Sequence, residues 1–124
     1  MADIASATSH DAAIVTQAVI RATDILGLTS AQLARIIGTS EATVSRMRHG
    51  RAVLNRQHKH WELALLVIRL YRSLDAICAG DSDVMREWMH HHNRDLSGVP
   101  AEQIHSIQGL TSVLAYVDSS RAVA

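Results

Sequence analysis

Apolar residues recur at helical spacing along most of the chain. From Asp11 to Leu26, Ile14, Ala18, Ile25 and their neighbours mark one helix face, and Gly27 closes the segment. The next stretch, LTSAQLARIIGTSEATVSRMRHG (Leu28–Gly50), reads as two short helices. Thr29, with Gln32 three residues later, makes a capping box that starts the first. Leu33, Ile36 and Ile37 give it an apolar face and Gly38 ends it. Ser40 is a good N-cap for the second, which turns Val44 and Met47 inward and stops at Gly50. Two short helices joined by a tight glycine turn form a helix-turn-helix pattern.

Arg51–His60 is a polar, basic connector. Trp61–Cys78 is apolar on nearly all sides, which predicts a buried central helix or a dimer face. Ala79-Gly80-Asp81 breaks it, and Asp81 or Ser82 caps a short helix running to about His91. NRDLSGVP is a loop whose Pro100 suits the first turn of a helix ending near Ile107. Gly109 then separates this helix from a last one, Leu110–Val117, which a flexible polar tail, Asp118–Ala124, follows. Met1–Ser9, small and polar, reads as a mobile leader. Nothing alternates with period two and nothing repeats. The expected fold is all-α: a helix-turn-helix unit over 1–60, a long apolar helix over 61–78, and a small helical unit with its tail over 79–124.

A chain of 124 residues, 48% apolar, fits one domain or two small helical units sharing a core. With only Trp61, Trp88, Tyr71 and Tyr116 as aromatics and no Phe, that core must be aliphatic. The lone Cys78 cannot form an internal disulfide and sits in an apolar run, as a small hydrophobe in a reducing compartment would. The N-terminus lacks a signal-peptide pattern and Leu63–Ile68 is too short to span a bilayer, so a cytoplasmic protein with no membrane partner is expected.

The net charge is zero but unevenly spread. Met1–Arg72 holds nine Arg/Lys against five Asp/Glu, and Ser73–Ala124 three against seven. A basic middle and an acidic end suggest two partners of different kinds, of which the first is DNA. In a helix-turn-helix the second helix meets base edges with its N-terminal residues, here Ser40, Glu41, Ala42, Thr43, Ser45 and Arg46. Glu41 suits a cytosine amino group, Arg46 a guanine, and Ala42 or Thr43 a thymine methyl. Thr29, Ser30 and Gln32, at the start of the preceding helix, are placed to hold phosphate, and Arg48, Arg51 and Arg56 would add salt-dependent affinity.

His90, His91 and His92 are consecutive, so on a helix they diverge by about 100° each and cannot converge on one ion. Glu87 with His91, and His58 with Glu62, have ligand spacing but no local third ligand. No metal or cofactor is expected, and the triple histidine reads as incidental. No glycine-rich phosphate loop or nucleophile–base arrangement can be placed, so the chain is not expected to be an enzyme.

The positions Leu33-Ala34, Gly38, Ser40, Val44-Ser45 and Gly50 resemble the Xre (Cro/repressor-like) helix-turn-helix family, which often has Gln where this chain has Ser30. The later segment resembles the C-terminal toxin-binding domain of Xre/MbcA/ParS antitoxins. The matching pieces are Ala79–Asp81, Trp88-Met89, Asn93, Leu96-x-Gly98-x-Pro100, the helix ending near Ile107, Gly109, and Val113, Leu114 and Val117. That family usually has Pro where this chain has His92, and often a second glycine where it has Ser97.

The resemblance implies an antitoxin that docks on a cognate RES-domain toxin, an enzyme attacking NAD, and covers the active-site entrance with its C-terminal elements. It also implies repression of its own operon at operator DNA, strengthened by bound toxin, and a homodimer within a larger complex. The toxin-binding residues it implies are Trp88, Val113, Leu114, Tyr116 and Val117, with Asp118, Ser119, Ser120 and Arg121 as the occluding tail and Arg121 as its only cation. Two other readings stand beside this: a phage-type repressor with no toxin partner, and an interaction adaptor whose helix-turn-helix no longer binds DNA.

Overall fold

The computed structural model describes the backbone of residues 2–123 and the surroundings of side chains 10–121. The regular elements of the described chain are all helices: α1 (Ala2–Ile25), α2 (Ser30–Ile37), α3 (Glu41–Arg48), α4 (Lys59–Ile77), α5 (Ser82–His90), α6 (Pro100–Gln103) and α7 (Ile107–Val123). The all-α expectation holds.

The caps work as the sequence indicates. Thr29 and Gln32 form the reciprocal box that starts α2, Ser40 caps α3, and the Asp81 carboxylate accepts from the Asp83 and Val84 N–H groups to start α5. Leu33, Ile36 and Ile37 of α2 and Val44 and Met47 of α3 are buried, which closes the helix-turn-helix on α1 and α4.

α4 lies at the centre, packed on α1 and α2 at one side and on α5 and α7 at the other. It buries Ala64, Val67, Leu70, Ser73 and Leu74. It is not apolar all round: Glu62, Leu65, Arg69, Arg72, Ala76 and Ile77 face outward. The expected long apolar connector is thus a helix whose outer side mixes charged and apolar residues, and the buried residues of both halves join one cluster around it.

Both chain ends depart from expectation. The leader expected over Met1–Ser9 is helical from Ala2 onward, as the start of α1. The tail expected from Asp118 continues α7 to Val123, because Asp118 accepts from the Arg69 guanidinium and the Ser73 hydroxyl of α4. These contacts hold the last turns against the core.

Gly109 does not separate two helices either. It lies in the first turn of α7, where its N–H donates to the Ser106 hydroxyl at 3.0 Å. A Cβ at this position would come within 1.7 Å of the Gln103 carbonyl oxygen, so the glycine permits the tight step from α6 to α7. α6 itself ends at Gln103, earlier than the spacing predicts. Ser97, where the related pattern often has glycine, takes a positive φ of 55°, so this loop adopts the left-handed turn without its usual residue. The turn is closed by the paired Asn93 and Gly98 backbones and by the Asn93 side chain accepting from Leu96 N–H.

Leu70 is fully buried on α4. Leu70→Ala is expected to lower the unfolding free energy by about 3 kcal/mol, read by urea denaturation, and to loosen both halves in one transition because they share this core. Two separate transitions would contradict the shared core.

Candidate functional site

The outward face of α3 is built from its own capping chemistry. The Ser40 hydroxyl accepts from Thr43 N–H at 3.0 Å and donates to Thr43 Oγ1 at 2.9 Å. The same Thr43 oxygen accepts from Arg46 Nη2 at 2.9 Å. Ser40, Thr43 and Arg46 thus form one tied row, flanked by exposed Glu41, Ala42 and Ser45. All six candidate base-contacting residues lie on the outward side of α3, from its cap Ser40 to Arg46 in its last turn, while Val44 and Met47 anchor the other side. A convex helix with donors and acceptors at its N-terminal end suits a major groove.

The candidate phosphate contacts divide. Arg51 is exposed. Arg48 is not free: it forks onto the Asp24 carboxylate of α1 at 2.9 and 3.0 Å, and its Nη2 donates to Ser30 Oγ at 3.3 Å. Hydrogen bonding to Asp24 pushes the Arg48 pKa up, against a smaller opposing effect of burial. In this arrangement Arg48 and Ser30 tie α1, α2 and α3 together instead of offering groups to phosphate. The Arg56 guanidinium lies 5.7 Å over the Trp61 ring, so it packs rather than projecting.

In the C-terminal half the apolar candidates also divide. Val113, Leu114 and Val117 are 1%, 5% and 1% exposed and belong to the core, so they present no partner surface. They lie on the inward side of α7, against α4. Trp88 and Tyr116 are half-buried and stacked, with ring centroids 6.4 Å apart and planes 19° from parallel. The Tyr116 hydroxyl donates to Asp95 at 2.7 Å. With Leu74, Ile77, Val117 and Ser120 they line a small cavity of about 80 Å³. Ile77 and Val84, which the sequence reading did not single out, are exposed at 40% and 44%, and Ile107 is 66% exposed. Their signal was an apolar residue at a helix end or off the buried phase, which periodicity alone treats as noise.

The expected tail residues are helical. Asp118 is half-buried and engaged by Arg69 and Ser73, and Ser120 donates to the Tyr116 carbonyl at 3.1 Å. Ser119 and Arg121 remain exposed.

His90 is not incidental. Its Nε2 donates to the Leu26 carbonyl at 3.1 Å, while Arg86 Nε and Nη2 donate to the Ile25 and Asp24 carbonyls at 3.1 and 3.3 Å. Two α5 side chains therefore cap the C-terminal end of α1. His91 bonds the Glu87 carbonyl at the end of its own helix, and His92 is exposed. Partners more than 60 positions apart leave no local signal, so Asp24, Arg86 and His90 were invisible to motif reading. Among the described residues no group of three or more His, Cys, Asp or Glu side chains is placed to hold a metal ion, and no helix is long and apolar enough to cross a membrane.

Residues 8–69 match the family described as the antitoxin Xre-like helix-turn-helix domain, and residues 73–122 match the antitoxin Xre/MbcA/ParS C-terminal toxin-binding domain. No curated protein matches the chain. The boundary between the two matches falls within α4.

Tyr116 provides a pH test of this surface. The hydrogen bond to Asp95 is the largest influence raising its pKa above the usual value of 10.0. Because the folded pKa lies above the unfolded one, the stabilisation is complete below the unfolded pKa and is lost as pH rises through the folded one. Wild-type stability is expected to fall across that alkaline window more steeply than that of Tyr116→Phe, measured by urea denaturation. Equal slopes would show that the Asp95 bond contributes nothing.

Proposed function

The chain belongs to the Xre/MbcA/ParS-type antitoxins, and from that premise we propose that it neutralises a NAD-degrading RES-domain toxin and represses its own operon. The observation that carries this reading is the tandem match, helix-turn-helix then toxin-binding domain, over residues 8–69 and 73–122. In each half a face remains at least partly outward. On α3 that face is Ser40, Glu41, Ala42, Thr43, Ser45 and Arg46. In the second half it comprises Trp88, Tyr116, Ile77 and Val84, with Ser119 and Arg121 at the outer end of α7.

The helical end of α7 changes how occlusion would work. A flexible tail would lose conformational entropy on threading into an active site. A helix end already held through Asp118 and Ser73 is preorganised and loses less. Affinity would come from the half-buried aromatic pair and its apolar rim, with Arg121 and Asp118 setting orientation. Two copies in a homodimer would place two α3 helices in successive major grooves, as a palindromic operator requires.

The toxin reading is tested by inducing the neighbouring open reading frame with no antitoxin, with the full-length chain, or with Ser119→Arg, and following cellular NAD and growth. Full-length protein is expected to preserve NAD, and the added bulk at the α7 end to abolish most of that protection. Equal protection by both would remove the α7 end from the mechanism. A neighbour that never depletes NAD would leave a repressor without a RES partner.

The DNA reading has its own test, binding to the upstream region of the operon at several salt concentrations. Arg51→Ala is expected to reduce the slope of log K against log salt by about 1 with little change in site preference. Arg46→Ala is expected to weaken the preferred site by about 1–3 kcal/mol and to relax discrimination at one base pair. Salt-independent or absent binding would favour the adaptor reading.

A further inference from the structure

The outer side of α4 carries Arg69 and Arg72 one turn apart, and α7 brings Arg121 alongside them. Together with Ser73 and Asp118 they line an open cleft of about 700 Å³. The outward face of α3 does not use it, and it shares only Asp118 and Arg121 with the proposed toxin-facing end of α7. Three guanidinium groups face one carboxylate, so the cleft carries two positive charges in excess (three minus one). Asp118 is engaged by Arg69 and by Ser73, whose hydroxyl donates at 2.8 Å from a side chain 1% exposed. Arg72 and Arg121 have no ion-pair partner among the described residues.

We propose that this cleft binds a small phosphate-bearing anion, a diphosphate group being the best match. A guanidinium fork suits phosphate oxygens, and a tetrahedral group presents oxygens to donors arriving from several directions. A single carboxylate would satisfy only one of the two unpaired arginines, whereas a diphosphate carries enough charge for both and enough oxygens for Arg69 as well. The volume lies within the range of small-molecule sites. Asp118 acts as the resident competitor: it occupies Arg69 and so sets how strongly the incoming anion must bind. This inference does not rest on the toxin reading, because anion binding is measured on the free chain, although the two share Asp118 and Arg121.

Isothermal titration of the full chain with inorganic diphosphate, at ionic strength held constant with chloride, tests it. Saturable one-to-one binding is expected. Arg72→Ala and Arg121→Ala should each weaken it by about tenfold, the scale of one lost charge-assisted contact. Asp118→Asn should tighten it severalfold by releasing Arg69, provided circular dichroism shows an unchanged helix content. If Asp118→Asn loses helix, the two arginine variants still decide, since neither removes an ion pair seen among the described residues. Non-saturating heats, or equal affinity in wild type and both arginine variants, would overturn the assignment. So would a hexaglutamate peptide that displaces diphosphate at lower concentration, which would make the cleft a docking patch for an acidic protein segment.

Discussion

The structure depends on how the C-terminal end of α1 is satisfied. The last carbonyls of a helix have no partner within it. Here Gly27 takes a left-handed φ of 73° so that the chain can turn and Leu28 N–H can reach back to the Thr23 carbonyl. Arg86 and His90 of α5 cover the Asp24, Ile25 and Leu26 carbonyls. The Asp24 carboxylate meanwhile grips Arg48 at the end of α3. One helix end is therefore shared by the second helix of the helix-turn-helix on one side and the C-terminal half on the other. A Cβ at residue 27 would press on Arg86 and His90 at 3.2 and 3.1 Å, so the close approach of α5 also depends on the glycine.

α4 makes the second connection. Its inward residues join the two halves in a common core, and its outward Arg69 and inward Ser73 fasten the last turns of α7 through Asp118. Exposed ion pairs usually contribute little. This one gains from Ser73, which is buried with its hydroxyl committed to the same carboxylate and would lack a partner without it. Helix continuation through Asp118–Arg121 accompanies that contact, so the expected flexible arm is instead the last turns of α7.

The arginines show how little a side chain's type reveals about its use. Of the basic residues between Arg46 and Arg72, Arg46 lies along the outward face of α3, Arg48 clamps three helices, Arg56 covers Trp61, and Arg69 and Arg72 line a cleft. In sequence they form one basic stretch. The helical hydrogen-bond pattern and the packing of α4 distribute them over separate surfaces.

Local chemistry made the helices, their caps and the helix-turn-helix legible in the sequence. Thr29 with Gln32, Ser40, Asp81 and Gly38 act within a few residues of themselves, and apolar spacing in α2 and α3 identifies the buried sides directly. The family resemblance was legible for the same reason, because its motifs sit at these local turns. What the sequence could not decide was which polar groups meet across long separations, and so which candidates remain free. Arg48 and Ser30 were spent on Asp24, Val113, Leu114 and Val117 on the core, and His90 on a carbonyl of α1. These outcomes depend on where helices distant in sequence come to lie, and only the tertiary packing around α4 sets that.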